Sequence, residues 1–174
     1  IKFRAYTLSE KQFETFNKTY RQDEQWAFIQ KLNPSKTWNT TLKNKQDYQR
    51  HTTEIVVPKL HNGRYLLVAT TKEDIENNFA FAHVQVTNLA LVESETEDQK
   101  VFQIIDRTNG TPVNGVNVEL SYYKRNNRNK QFETYTSDKL GQIHLKKLGS
   151  GWYRNINLKI KRVNELAYFG DYYL

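Results

Sequence analysis

The sequence predicts a mainly β chain of tandem β-sandwich domains, the first of them carrying a short helix. Three observations carry that expectation. Polar and apolar residues alternate with period two through several runs, as half-buried strands require. Aromatic residues make up 13% of the chain, mostly Tyr and Phe, which pack well on pleated surfaces. Turn residues separate the runs, yet only 7 Gly and 3 Pro are present, which leaves no room for a long flexible linker.

In chain order, Ile1, Phe3 and Ala5 alternate with Lys2, Arg4 and Tyr6 as a strand ending near Leu8. Ser9 is placed to cap a short amphipathic helix, with Phe13, Phe16 and Tyr20 as its apolar stripe. Trp26 to Ile29 fits either helix or strand, and Asn33-Pro34-Ser35 breaks it. Trp38 to Leu42 reads as extended. Ile55–Val57 and Tyr65–Ala69 read as a hairpin-like pair joined through Pro58 and Gly63. The polar stretch Thr71 to Asn78 marks the boundary between domains at 1–78 and 79–174.

A long β segment follows from Phe79 to Val92. Its inward phase changes, with Val84 and Val86 on one parity and Leu89 and Leu91 on the other, so a bulge or kink is expected near Asn88. Val101 to Ile105 is a buried strand, and Asp106 to Gly110 is turn chemistry. Pro112 restarts the chain in extended form. Val116, Val118, Leu120 and Tyr122 then form the buried face of another strand. Gln131 to Thr136 continues the pattern. Asp138 and Gly141 suit a short hairpin, after which Ile143 and Leu145 point inward. A turn is expected at Lys147 to Gly151. Ile156, Leu158 and Ile160 alternate with Asn157, Lys159 and Lys161. The run from Leu166 to Leu174 closes the chain, bent at Gly170. Counted from Phe79, about seven strands fall in fewer than about 100 residues, the immunoglobulin-like pattern.

Composition excludes several chemistries. No Cys is present, which removes disulfides, thiol nucleophiles and Cys-ligated zinc. No apolar run reaches the ~20 residues that span a bilayer, so no direct membrane insertion is expected. The chain has no Met and opens directly on a strand, which suggests a fragment of a longer polypeptide with any signal lying upstream. The net charge is +7, but 19 acidic residues are interleaved with the basic ones. The densest basic cluster, Lys124 to Lys130, reads as a solvated hairpin loop, and no nucleic-acid partner is expected.

The motifs together resemble the macroglobulin-like domains of the bacterial α2-macroglobulin family, in the style of Bacteroides-type versions. Val86-Thr87-Asn88-Leu89-Ala90-Leu91 matches a V-T-x-L-x-L strand. Asp106 through Val118 matches D-x-x-T/N-G-x-P-x-x-G-V-x-V, and Asp138 to Gly141 matches the D-x-x-G turn that follows it. Thr53 through Leu67 resembles the end of a preceding domain of the same type. The likeness is best over residues 53–145. It implies a tandem of structural domains in the shell of a protease trap. It also implies neighbouring macroglobulin-like domains and, through the full-length protein, target proteases as partners. The implied location is the periplasm or the outer-membrane-associated envelope, reached through an upstream lipoprotein or secretion signal. The covalent thioester of many such proteins needs a Cys that this chain lacks.

His51, His61, His83 and His144 have no metal-ligand spacing. Glu93, Glu95, Glu97 and Asp98 form an acidic turn that could collect calcium but reads better as solvated. Asn17, Asn39 and Asn109 open chance glycosylation sequons. No G-x-S-x-G elbow or phosphate-binding Gly-rich loop occurs. No catalytic, cofactor-binding or metal-binding residue is therefore nominated, and the chain is not read as an enzyme. The competing reading is a surface-exposed binding or adhesion module for carbohydrate or protein, with Tyr123 and Tyr135 as an aromatic platform.

Overall fold

The computed structural model describes residues 1–42, 46–71, 78–124, 129–146 and 153–172. Most of the polar boundary stretch (72–77), the centre of the basic loop (125–128), the turn at 147–151 and the last two residues lie outside the described residues. The chain divides into two compact units, Ile1–Val86 and Thr87–Leu174.

The first unit contains β1 (Lys2–Thr7), α1 (Glu10–Asn17), α2 (Gln22–Gln30), β2 (Lys36–Asn39), β3 (Gly63–Thr70) and β4 (Phe79–Val86). The strands form one antiparallel sheet in the order β2-β1-β3-β4. Ser9 caps α1 as the sequence suggests. Its Oγ accepts from Gln12 N at 3.3 Å, and its own N–H donates to Gln12 Oε1 at 2.9 Å, a reciprocal capping box. Trp26 and Ile29 resolve into a second helix, so this unit has two helices where the sequence suggested one. Phe16, Trp26 and Ile29 bury themselves against Tyr6, Leu66 and Val68 on one face of the sheet. Tyr20 departs from the expected stripe and is 88% exposed, because α1 ends at Asn17 and the helical phase ends with it.

Two expectations for this unit need correction. Ile55–Val57 does not pair with Tyr65–Ala69. β3 is paired along one edge by β1 and along the other by β4, so no hydrogen-bonding edge remains for the upstream segment. Val56 is accordingly 87% exposed, and residues 49–61 form no strand. The phase change near Asn88 is not a bulge within one long strand. β4 ends at Val86 and is hydrogen-bonded to β3, whereas a new strand begins at Leu89 in a different sheet. Val84 and Val86 lie on the face of the first sheet opposite its helices, whereas Leu89 and Leu91 face the core of the second unit. For the same reason the division between units falls after Val86, where the sequence reading put the start of the second domain at Phe79.

The second unit contains β5 (Leu89–Glu95), β6 (Gln99–Asp106), β7 (Asn117–Lys124), β8 (Gln131–Thr136), β9 (Gln142–Lys146), β10 (Tyr153–Arg162) and β11 (Glu165–Tyr172). These seven strands make a three-stranded sheet, β5-β6-β9, and a four-stranded sheet, β11-β10-β7-β8, all antiparallel. One core joins the two sheets. Leu89, Phe102, Ile104, Ile143 and Leu145 come from the first, and Val118, Leu120, Tyr122, Ile156, Leu158 and Ile160 from the second. The inward residues anticipated from alternation are the buried ones. Truncating a fully enclosed Leu or Ile here to Ala costs about 2–5 kcal/mol. The fold class is therefore mainly β in two tandem domains, the first a single antiparallel sheet carrying a pair of helices and the second a two-sheet sandwich.

The exposed, strandless segment makes a direct prediction. Residues 46–54 are all exposed, including Arg50, and proteases need an extended backbone free of sheet hydrogen bonds. Among the described residues, limiting trypsin should cut first after Arg50 and leave every strand intact, as read by mass spectrometry of the early fragments. A first cut within β3 or β10 would contradict the assignment.

Candidate functional site at the entry of the second unit

The chain enters the second unit at Thr87 and Asn88, and those residues are held by a turn from the far end of the sequence. Arg162 ends β10, Val163 and Asn164 make the turn, and Glu165 begins β11. Glu165 Oε1 accepts from Thr87 Oγ1 at 2.6 Å and from Asn88 N at 2.5 Å. Thr87 Oγ1 accepts in turn from Leu89 N at 3.0 Å, and Arg107 N donates to Asn88 O at 2.6 Å. One residue before the turn, Arg162 Nη1 donates to Asp106 Oδ2 at 3.0 Å. Arg162 and Glu165 belong to the four-stranded sheet, while Asp106 and Leu89 belong to the three-stranded sheet. The turn thus clasps the two layers together at this end, using charge-assisted hydrogen bonds.

Asp106 is the most strongly perturbed group of the clasp. Its other oxygen accepts from Thr108 N at 3.0 Å and from the Thr108 hydroxyl. These Thr108 bonds first, and the Arg162 bond next, hold its pKa down to about 2 from the usual 3.8. Two shallow hollows flank the turn. One of about 500 Å³ mixes Glu119 and Glu165 with Lys159 and Lys161. The other, of about 360 Å³, lies between Arg162 and the Thr111–Val116 connection. The Glu165 carboxylate is already engaged in fixing a backbone N–H and a hydroxyl. The geometry suits anchoring of the chain rather than turnover of a substrate.

The residues weighed for chemistry lie apart. His51 pairs with Asp47 at 2.7 Å on the surface of the first unit. At His61 the backbone carbonyl accepts from Tyr65 Oη at 2.8 Å. His83 packs tilted or edge-on among the rings of Phe13, Phe16 and Phe81, and desolvation, followed by the nearby Arg64 charge, lowers its pKa. His144 contacts Gln99 Oε1 at 3.3 Å. Among the described residues, no three His, Asp or Glu side chains converge. The expected acidic turn begins later than Glu93: Glu93 and Glu95 lie within β5, because the strand runs on in register with β6, and Glu93 pairs with Lys100, whose Nζ lies 2.9 Å from its Oε2. This pairing lets Lys100 sit 6% exposed on the inner face of β6. Glu97 and Asp98 stay exposed. Of the basic loop, Lys124 is exposed and Lys130 reaches over the Phe132 ring at 5.6 Å. Asn109 uses its side-chain oxygen to accept from Thr111 N at 3.0 Å, a turn role.

Tyr123 and Tyr135 cannot form one platform. The β7–β8 register pairs Val118 with Tyr135 and Ser121 with Phe132. Tyr135 therefore lies on the inward face, against the core, while Tyr123 lies on the outer face. Tyr135 and the buried Tyr122 both donate to the Glu133 carboxylate. Sequence reasoning missed Arg162 and Glu165. Their partners lie 56 and 78 positions away, and no local pattern announces such contacts. No helix among the described residues is long and apolar enough to cross a membrane.

A unit whose sheet carries two helices, followed by a seven-stranded sandwich with its entry clasped to its last hairpin, makes a pair of β domains, and their fold is macroglobulin-like. Two solved structures of native α2-macroglobulin from Escherichia coli show it. The structure spanning domains MG0-NIE-MG1 is 16% identical with a TM-score of 0.59, covering 97% of this chain and 54% of that one. The structure spanning NIE-MG1 is 13% identical with a TM-score of 0.61, covering 97% of this chain and 82% of that one. The chain thus spans about half the length of the first, and identities this low establish fold alone. No family model and no curated protein matches the chain.

The clasp makes a pH prediction. A carboxylate whose folded pKa lies below its unfolded value adds stability above the unfolded pKa and loses it as pH falls through the folded one. The contribution of Asp106 should be intact above pH 3.8 and disappear toward about pH 2. Following its carboxyl carbon by NMR should give a midpoint near 2 in the parent chain and a higher one in Thr108→Ala. A parent midpoint near 3.8 would show that the clasp does not form.

Proposed function

We propose that the two units are structural β domains in the shell of a bacterial α2-macroglobulin-like endopeptidase inhibitor. One observation carries the reading. A helix-bearing sheet unit followed by a seven-stranded sandwich aligns along 97% of this chain with the solved NIE-MG1 pair. The sequence motifs support it, because Asp106 through Val118 and Asp138 to Gly141 build the centre of the second unit. On this reading the first unit corresponds to the NIE-like part and the second to the MG1-like part. The style of the sequence suggests a Bacteroides-type member.

The role is mechanical. Buried inner faces keep each unit rigid, and polar outer faces meet neighbouring macroglobulin-like domains of the same polypeptide. The units act without catalysis or cofactor. Target proteases are met by the full-length protein, in the periplasm or at the outer membrane, after export on an upstream signal. The adhesion reading relied on Tyr123 and Tyr135 acting together, and their places on opposite faces of the sheet remove that support.

The test uses the full-length polypeptide that carries these units. Mixed with a panel of endopeptidases, it should suppress cleavage of a large protein substrate, whereas the 174-residue chain alone should leave cleavage unchanged. A full-length polypeptide that leaves every protease in the panel fully active would overturn the proposal.

A further inference from the structure

Seven glycines stand in the chain, and three of them follow Asn: Asn62-Gly63, Asn109-Gly110 and Asn114-Gly115. Asn before Gly is a chemically labile pairing. No side chain on the second residue hinders its backbone nitrogen from reaching the Asn carboxamide. The attack needs that nitrogen to give up its proton and turn toward Cγ. A backbone N–H held in a hydrogen bond does neither until the bond opens.

The three pairs are placed differently. Asn62-Gly63 stands at the start of β3. Asn109-Gly110 lies in the turn after β6, where Gly110 N donates to Asp106 O at 2.8 Å within the same turn. Asn114-Gly115 lies in the connection between β6 and β7. Both of its residues are exposed, and no atom stands within 4 Å of where a Cβ on Gly115 would lie. Burial and crowding therefore do not shield it. What holds it is distant in sequence. Gly115 N donates to Ser137 O at 2.9 Å, and Ser137 is itself only 3% exposed. The Ser137 hydroxyl holds the residues on either side, donating to Val113 O at 2.8 Å and accepting from Val116 N at 3.1 Å.

We propose that Asn114-Gly115 is a latent succinimide site, closed while Ser137 holds Gly115 and reactive when that contact opens. On opening, Gly115 N loses its proton and attacks Asn114 Cγ. A C–N bond forms, and the carboxamide nitrogen takes up a proton and leaves as ammonia. Water then opens the imide at either carbonyl, giving Asp or isoaspartate at this position. Both products act against the closed form. Isoaspartate adds a methylene to the backbone, which puts Gly115 N out of step with Ser137 O. Asp brings a carboxylate to the hollow that Asn114 lines together with Lys161 and Arg162, where it competes with Asp106 for the Arg162 guanidinium. Modification is thus a one-way record of opening at this end of the second unit.

The experiment incubates the 174-residue chain at mildly alkaline pH, in native buffer and in guanidinium chloride. Peptide mass spectrometry follows deamidation at each Asn-Gly pair. Asn114 should react at least about tenfold more slowly in the native chain than in the unfolded one, because only the open fraction reacts. Ser137→Ala removes both hydroxyl ties and should raise the native rate at Asn114 several-fold while leaving Asn109 unchanged. If Ser137→Ala does not fold, a denaturant series on the parent chain decides, and Asn114 reactivity should rise in step with exchange of the Gly115 amide. A native Asn114 that reacts as fast as in the unfolded chain, or one that does not react even there, would overturn the proposal. A folded Ser137→Ala chain that keeps the parent rate, or reactivity that rises without exchange at Gly115, would do the same.

Discussion

The buried hydroxyl of Ser137 is the contact on which the second unit depends. It donates to Val113 O at 2.8 Å and accepts from Val116 N at 3.1 Å. The Ser137 backbone repeats the tie, donating to Val116 O at 3.1 Å and accepting from Gly115 N at 2.9 Å. The connection from β6 to β7 crosses from one sheet to the other, and its backbone cannot join either ladder throughout. Ser137, itself only 3% exposed, supplies the missing partners. Gly141 completes the lock. Its carbonyl accepts from Ile104 N at 2.8 Å, its φ is +71°, and a Cβ there would stand 2.5 Å from Ile104 O. Only glycine lets the hairpin come this close to β6. Losing the Ser137 hydroxyl would strand two buried backbone groups, at about 1–3 kcal/mol each.

The lock brings together two turn-rich stretches of the sequence, Asp106–Val118 and Asp138–Gly141. The Asn-Gly and Pro positions bring Thr111 to Val113 back beside β6, where Pro112 bridges Ile105. The Asp138 carboxylate turns the second stretch by accepting from Leu140 N and Gln142 N at 2.9 and 2.8 Å. The clasp of Arg162 and Glu165 closes the same end of the sandwich from the other sheet. The chain therefore enters the unit at the end where the lock and the clasp both lie.

Local chemistry was legible where one element decided it. Alternation named the inward residues of β7, β9 and β10, and the Ser9–Gln12 capping box came with its own helix. What required knowledge of pairing was not legible. Ile55–Val57 has the composition of a strand, yet β1 and β4 occupy both edges of β3, and an available edge is a property of topology rather than composition. The parity change at Asn88 was visible, but its cause was the passage from one sheet to another. The clasp left no trace because its partners are far apart in sequence. The tyrosine platform failed for a related reason: facing depends on cross-strand register, which single residues do not announce.

In the second unit the buried polar side chain of Ser137 is spent on holding backbone. That account stands on the lock between Val113–Val116 and Ser137–Gly141, and native-state hydrogen exchange tests it most directly. The account predicts that the amides of Val113, Val116, Ser137 and Gly141 exchange only with global unfolding of the second unit, at the same free energy as Ile104 and Leu120 in its core. Exchange of these amides through local opening, well below the free energy of the core strands, would contradict it.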